Sequence, residues 1–197
     1  MRLPLAALKQ PPWRAVTLAI ALLILPISSH AEANPRVNLT TSEGVIEIEL
    51  LPKLAPKHVA NFLSLVEEEF YVGLVFHRVI PNFMIQAGGY DAQLNYKPSE
   101  RKVPNESFNG LSNKRYTVAM ARLSDPDSAD TQFFINVRDN PHLDANQGEP
   151  GYSVFGRVVD GMDVIETIEL TDTHLRMGMA AVPEKAIVIS ATELQPQ

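Results

Sequence analysis

The feature that most limits the fold is a succession of short apolar segments, the clearest of which alternates between apolar and acidic residues. Between Gly44 and Leu50, isoleucine and leucine side chains alternate with glutamates, as is typical of a β-strand with one buried face. Arg36–Thr41 precedes it across Ser42-Glu43-Gly44, which predicts a hairpin. Further short strands are predicted at Val75–Ile80, Phe83–Gln86, Tyr116–Ala121, Thr131–Val137, Tyr152–Val158 and Ala186–Ala191.

Two segments have the period of a helix instead. After Pro56, which suits a first helical turn, apolar side chains recur at spacings of three and four residues. A second, shorter helix is predicted at Met162–Ile168, and the polar stretch between Tyr90 and Arg115 is predicted to be a long surface loop. The stripe of the first helix consists of Val59, Phe62, Leu63, Val66 and Phe70.

This pattern of many strands and two helices favours a closed barrel, because closure removes exposed sheet edges. The chain has 197 residues, which corresponds to one domain on ordinary domain sizes. Bulky side chains on the predicted strands indicate a packed barrel rather than one with a large ligand-carrying lumen. The sequence therefore predicts a mainly β protein.

The N-terminus has the form of an export signal. Arg2, Lys9 and Arg14 precede a run from residue 15 to 27 that is apolar except for Thr17 and Pro26. The run is too short for a membrane span, which needs about 20 apolar residues. Residues 1–31 are therefore predicted to be a cleaved signal peptide and 32–197 the folded domain, with cleavage after Ala31 or Ala33 left open.

Charge and cysteine content exclude several classes of function. The first 31 residues hold three of the 17 basic residues and none of the 23 acidic ones, so 14 basic residues face 23 acidic ones in the remainder. Such a domain avoids nucleic acid and anionic membrane surfaces. There is no cysteine, and the histidines lack zinc-site spacing, so neither a metal nor another cofactor is expected.

Residues capable of specific chemistry concentrate in three segments. The first, at residues 76–89, reads FHRVIPNFMIQAGG; the second contains MAR at 120–122 and QFFINV at 132–137; the third contains NPHLD at 140–144 and YSVFG at 152–156. Alternation places His77 and Arg78 on opposite faces of one strand. It likewise sends one of Phe133 and Phe134 into the core and the other outward, without deciding which.

Four of these blocks resemble the cyclophilins, a family of peptidyl-prolyl cis-trans isomerases; in order along the chain they are FHRVIPNFMIQAGG, MAR, QFFINV and YSVFG. The resemblance runs from about Val37 to Leu194 and, with the export signal, is strongest to the periplasmic members of Gram-negative bacteria. It implies a closed eight-stranded antiparallel β-barrel capped by two helices. It also implies isomerisation of X-Pro bonds in unfolded or nascent exported polypeptides, by a monomer located in the periplasm.

The resemblance also assigns roles to individual residues. Arg78 would donate to the prolyl nitrogen, where an isolated arginine on a strand would otherwise be a solvated charge. Gln86 would hold Arg78 and the substrate, and His77 would lie at the rim, with a structural histidine as the alternative. The proline pocket would be lined by Phe83, Met84, Phe134 and Leu143, the peptide chain would be bound by Gln132 and the backbone around Ala121 and Arg122, and Tyr152 would join His77 at the rim.

Two residues depart from the best-known cyclophilin pattern. His142, which the resemblance places among the substrate-binding residues, stands where many eukaryotic members have a tryptophan associated with cyclosporin binding, so weak cyclosporin binding is expected. Arg122 replaces an asparagine that contributes mainly through its backbone, and its charge is expected to shift the sequence preference. The alternative function is a peptide-binding chaperone with little turnover, since a pocket that binds both ground states well accelerates little.

Overall fold

The computed structural model describes residues 33–196, so the predicted signal peptide at residues 1–31 lies outside the described residues. Its strands are β1 (Arg36–Thr41), β2 (Gly44–Leu50), β3 (Arg78–Ile80), β4 (Met84–Ala87), β5 (Thr117–Met120), β6 (Phe133–Asn136), β7 (Val154–Asp160), β8 (Thr173–Arg176), β9 (Met179–Pro183) and β10 (Ile189–Leu194). Its helices are α1 (Pro56–Glu67) and α2 (Met162–Glu169), with one 3-10 turn at Pro141–Leu143.

Eight strands form one antiparallel sheet in the order β10-β1-β2-β7-β5-β6-β4-β3. The predicted mainly β class with two helices is confirmed. The structure differs from the expected closed barrel at one seam, because no ladder joins β3 to β10. The segments that lead into these two strands meet instead through one bridge, Val75 to Val188, and the Phe76 N–H donates to the Ile187 carbonyl at 3.0 Å.

The core lies on the inner face of this sheet, against the apolar faces of both helices. Phe62 of α1 is fully buried, with its ring centroid 5.1 Å from that of Phe155 and 5.6 Å from that of Phe133. Ile165 and Ile168 of α2 belong to the same cluster. The strand side chains of this face are held in register, as in the row Val79, Ile85, Ile135 and Val118.

Helix α1 ends earlier than predicted. It stops at Glu67, and Glu69 has a left-handed backbone with φ of 52°, which turns the chain so that Tyr71 becomes fully buried. The predicted stripe therefore ends before Phe70. Within the helix, Leu65 is buried whereas Leu63 is only partly so.

Two further features differ from the sequence-based prediction. The hairpin β8–β9 was not predicted, because its two-residue turn is Met177-Gly178, with positive φ at both positions, and lacks the usual Asn or Asp signal. The loop between Tyr90 and Arg115 contains no strand or helix, as expected, but it is not wholly on the surface, since Leu94, Val103 and Asn113 are buried. Among the helices of residues 33–196, none is long and apolar enough to cross a membrane.

Candidate active site

A row of residues on the outer face of the sheet organises the site. In the strand register, Arg78 of β3 lies opposite Gln86 of β4, Gln86 lies opposite Phe134 of β6, and Phe134 lies opposite Ala119 of β5. Ala119 is in turn paired with Val154 of β7. Because directly opposed residues share a face of a sheet, five strands contribute one continuous line of side chains.

The row passes through a second, smaller apolar cluster, separate from the core. Its buried members are Met84, Ala119, Phe134 and Val154. Phe133 belongs to the main core and Phe134 to this outer cluster, so alternation correctly sends the two adjacent rings to opposite faces. The partly buried apolar side chains packed on it are Ile80, Phe83, Leu111, Ala121, Leu143 and Tyr152.

A cavity of about 180 Å³ opens over this cluster. Its volume is below the roughly 300 Å³ typical of sites for drug-sized ligands, and it suits one small ring. Its walls bring together nine of the predicted site residues. They are Arg78, Phe83, Met84, Gln86, Ala121, Arg122, Phe134, Leu143 and Tyr152.

Aromatic contacts fix two walls of the cavity. The Tyr152 ring packs edge-on against Phe134, with the ring centroids 5.6 Å apart. In a second contact, the exposed ring of His142 stacks on Phe83, with the ring centroids 5.7 Å apart. His142 does not line the cavity itself, so its contact with the site passes through Phe83.

Arg78 is held by neighbours on β4. Its Nη1 lies 3.4 Å from the Gln86 Oε1 and 3.9 Å from the Met84 sulfur. Among residues 33–196, these are the partners of its guanidinium, which carries five N–H donors. Gln86 is oriented from its other end, because its Nε2 donates to the Gln132 Oε1 at 3.0 Å.

A second cavity of about 330 Å³ adjoins the first and shares Gln86, Ala121 and Arg122 with it. Gln132 lines this second cavity rather than the first. Gly89 allows that position, since a Cβ there would lie 2.7 Å from the Gln132 Cδ. The other lining residues are Tyr90, Tyr96, Leu123, Ser128 and Asp130.

The Arg122 side chain is committed to backbone carbonyls. Its Nε donates to the Gly151 oxygen at 3.1 Å and its Nη2 to the Pro150 oxygen at 2.8 Å, while Nη1 donates to the oxygen of Leu123. The guanidinium also lies over the Tyr152 ring, 4.9 Å from its centroid. Arg122 therefore fastens the 150–152 segment beside the cavity, and its charge is less open to a substrate than the sequence suggested.

His77 does not lie at the rim that the resemblance implied for it. It is only 4% exposed, lines neither cavity and packs its ring against Tyr90 at a centroid distance of 4.7 Å. Burial lowers the pKa of His77 to about 4. The expectation of a rim position is thus wrong. His77 precedes Arg78 in the sequence, and its side chain points into the protein.

The described part of the chain, residues 33–196, contains no group of three histidine, aspartate or glutamate side chains that could hold a metal ion. The side chains around the two cavities are apolar groups, serine and tyrosine hydroxyls, amides, guanidinium groups and one carboxylate, Asp130. This arrangement can enclose a small ring, donate hydrogen bonds from a fixed cation and align an extended peptide.

Comparison with known proteins agrees with this geometry. Residues 36–194 match the family described as cyclophilin type peptidyl-prolyl cis-trans isomerase/CLD. The chain is 47% identical over 178 residues to a peptidyl-prolyl cis-trans isomerase of Acinetobacter baylyi, covering 90% of this chain and 95% of that protein. A crystal structure of a Cryptosporidium parvum cyclophilin-type isomerase, obtained in the presence of the dipeptide Ala-Pro, matches with a TM-score of 0.67 and 26% identity, over 82% of this chain and 99% of the other.

The chain thus belongs to the cyclophilin-type peptidyl-prolyl cis-trans isomerases. Within the family it is similar to peptidyl-prolyl cis-trans isomerase A of Dickeya dadantii, with 44% identity over 180 residues that cover 91% of this chain and 95% of the relative. The resemblance inferred from the four sequence blocks is confirmed.

Proposed function

We propose that this isomerase accelerates the cis–trans interconversion of X-Pro bonds in unfolded or nascent exported polypeptides, with Arg78 as the catalytic residue. The observation that carries the proposal is the position of Arg78 at an apolar cavity the size of one ring, with its guanidinium held by Gln86 and Met84. A cation fixed beside such a cavity can act on the backbone nitrogen of a proline whose ring fills it.

The chemistry requires no bond to be broken. The amide has partial double-bond character, and its rotation barrier of about 18–20 kcal/mol makes the unassisted reaction slow. In the twisted transition state the prolyl nitrogen loses conjugation and its lone pair becomes basic. An N–H of Arg78 that donates to this lone pair stabilises the transition state more than either planar ground state, which is the requirement for catalysis.

The cavity walls supply the grip on the proline ring. Phe83, Met84, Phe134 and Leu143 form an apolar site in which burial of the ring is favourable by about 25 cal/mol per Å². The ring stays fixed while the preceding residue rotates. The Cryptosporidium relative studied with Ala-Pro supports this assignment, since the same dipeptide contains the bond and the ring in question.

The adjoining cavity binds the part of the substrate peptide next to the proline. Gln132 and the backbone around Ala121 and Arg122 face an extended peptide there, and Tyr152 lines the cavity for the ring. Gln86 borders both cavities and touches Arg78, so it aligns the guanidinium with the bound chain. His142 contributes by supporting Phe83.

The periplasm is the proposed location. Residues 1–31 have the composition of a cleaved signal peptide, and the remaining chain is acidic. Expression of the full coding sequence in a Gram-negative host, followed by fractionation and N-terminal mass determination, tests this directly. A periplasmic product that begins at Glu32 or Asn34 is expected, whereas an intact cytoplasmic chain would contradict the assignment.

The proposed activity is tested on a short Ala-Pro peptide in a protease-coupled assay. The chain expressed from its full coding sequence is compared with Arg78→Ala and with Arg36→Ala, a strand arginine paired with Glu47 away from the site. We expect Arg78→Ala to lower kcat/KM by about 100-fold, the usual effect of removing one transition-state donor, with peptide affinity changed less than about threefold. Arg36→Ala should match the wild type.

Two outcomes would contradict the proposal in different ways. Equal activity in the wild type and Arg78→Ala would support the isomerase activity but exclude Arg78 as its catalytic residue. A folded wild type that binds the peptide and gives no acceleration would identify a peptide-binding chaperone instead, because binding alone lowers both ground states equally.

A further inference from the structure

Three buried asparagines form a continuous chain of side-chain hydrogen bonds beneath the site. Asn113, Asn136 and Asn140 are each no more than 1% exposed. The Asn140 Nδ2 donates to the Asn136 Oδ1 at 2.8 Å, and the Asn136 Nδ2 donates to the Asn113 Oδ1 at 3.2 Å. The Asn113 Nδ2 then donates to the Asp144 Oδ1 at 2.9 Å, so the chain runs head to tail and ends on a carboxylate.

The two ends of this chain of amides are attached to two different residues that line the proline cavity. The Asn140 Nδ2 also donates to the backbone carbonyl of Phe83 at 2.8 Å. At the other end, the Asn113 Nδ2 also donates to the backbone carbonyl of Tyr152 at 3.3 Å. Both Phe83 and Tyr152 line the cavity, and the Tyr152 ring packs edge-on against Phe134.

A third wall is tied to the same chain. The Leu143 N–H donates to the Asn140 carbonyl at 3.0 Å, and the Leu143 carbonyl accepts from the Tyr152 N–H at 2.8 Å. Asn136 itself lies opposite Met84 in the strand register, on the face that carries the cavity floor. The chain of amides therefore bonds to the backbone of Phe83 and Leu143 and lies opposite Met84 in the strand register, three of the four residues expected to hold the ring.

The carboxylate end gives the chain its direction. Burial alone would raise the pKa of Asp144, but donation from the Ser112 hydroxyl and from the backbone and side-chain N–H groups of Asn113 outweighs burial and lowers that pKa below its ordinary value. An ionised carboxylate accepts hydrogen bonds only, so it fixes which end of the Asn113 amide faces it. That choice propagates through Asn136 to Asn140, because each amide must present its oxygen to the preceding donor.

We propose that Asn113, Asn136 and Asn140, terminated by Asp144, are positioning residues that set the width of the proline cavity. The proposal rests on the proposed isomerase function. This chain of amides holds the Phe83 and Tyr152 carbonyls at a fixed separation, which apolar side chains in the same space would not do. Loss of one link leaves buried donors or acceptors unpaired and lets a wall relax, so the ring is gripped less tightly in ground state and transition state alike.

The first test is Asn140→Ala, which removes the donor to Phe83 and to Asn136. A matched control is Thr41→Ala. The buried Thr41 hydroxyl donates to the Gly44 carbonyl at 2.7 Å in the β1–β2 hairpin, which contributes no residue to the cavity. Both variants lose a buried hydrogen bond, and both are measured where unfolding curves show them fully folded. We expect KM for an Ala-Pro peptide to rise about tenfold in Asn140→Ala with kcat changed less than threefold. This pattern arises when ground state and transition state lose the same amount of binding energy. In Thr41→Ala, we expect no change in either KM or kcat.

The second test uses the carboxylate, so the proposal does not depend on one variant folding. Asp144→Asn keeps an oxygen for both Asn113 donors and presents its amide to the Ser112 hydroxyl, which can rotate to accept. Asp144→Leu removes the acceptor. We expect near-wild-type peptide affinity in Asp144→Asn and about tenfold weaker affinity in Asp144→Leu, measured by titration of the Ala-Pro peptide.

Affinity and turnover separate the possible failures. If the folded wild type binds the peptide without accelerating isomerisation, the proposed function fails, while the affinity comparison among the variants still tests the amide chain. If Asn140→Ala and Asp144→Leu keep wild-type KM and affinity and lose only stability, the amide chain is structural and the proposal is overturned.

Discussion

Arg78 and Gln86 lie directly opposite each other in the β3–β4 register, and their side chains meet with the Nη1 of Arg78 3.4 Å from the Oε1 of Gln86. The strand pairing therefore sets the distance between the guanidinium of Arg78, the proposed catalytic residue, and the amide that orients it. Gln86 is itself held by Gln132, so the guanidinium is aligned by two successive amides.

This relationship predicts that Gln86→Ala acts through Arg78. We expect kcat/KM to fall about tenfold, as for a lost hydrogen bond to a charged group, and the double variant Arg78→Ala/Gln86→Ala to be no worse than Arg78→Ala alone. Gln93→Ala, in the exposed loop, is the control. A protease-coupled assay compares the wild type, the two single variants and the double variant as a double-mutant cycle, with Gln93→Ala measured beside them. Additive losses in kcat/KM would show that Gln86 works independently of Arg78.

The adjacent rings of Phe133 and Phe134 offer a matched pair for separating stability from catalysis. Phe133 is fully buried among Phe62, Tyr71 and Phe76, so Phe133→Leu should lower the free energy of unfolding by about 1–3 kcal/mol with kcat/KM within twofold. Phe134→Leu should lower kcat/KM more than about tenfold with a smaller loss of stability, because its ring lines the cavity proposed to hold the proline. Urea unfolding and the isomerase assay measure both quantities, and the reverse ranking would remove Phe134 from the pocket.

Buried histidines predict an acid-sensitive fold. Burial lowers the pKa of His77 to about 4 and lowers that of His58, whereas the unfolded chain titrates near 6.5. The unfolded state binds more protons between those values, so the free energy of unfolding falls as the pH drops from 6.5 toward 4, by up to about 3 kcal/mol for His77.

Urea unfolding at a series of pH values tests this acid sensitivity. His77→Phe keeps a ring against Tyr90 and should flatten the slope in that window, whereas His174→Gln, at an exposed position, should leave it unchanged. An unaltered slope in His77→Phe would show that the histidine titrates normally in the folded protein.

The three carbonyl contacts of Arg122 predict that its shape matters more than its charge. Arg122→Lys keeps the charge but not the planar set of donors, so kcat/KM should fall about as far as in Arg122→Ala. The ratio of kcat/KM for peptides with Glu or Lys before the proline should stay the same in all three proteins. A ratio that changes with the loss of charge would restore the preference expected from the sequence.

Local alternation was enough to predict much of the site. It separated Arg78 from His77 and Phe133 from Phe134, because neighbouring side chains of a strand must face opposite ways. The resemblance supplied which face carries the chemistry. Nine of the twelve predicted site residues meet at one cavity, and Gln132 lines the next.

What the sequence could not predict depends on contacts between distant segments. The asparagine chain joins residues 23 and 31 positions apart, and buried amides follow no period that would reveal them. Two of the three carbonyls that accept from Arg122 are 28 and 29 residues away. The early end of α1 depends on the left-handed backbone at Glu69, a residue type that gives no warning of it.

The row from Arg78 to Val154 faces outward, while its neighbours, from Val79 to Val118, fill the interior. A client therefore needs no free end to thread through the protein, because the middle of a long polypeptide can be engaged from the side. Several enzyme molecules can then serve different prolines of one chain at the same time, and the length of the client sets no limit on its use.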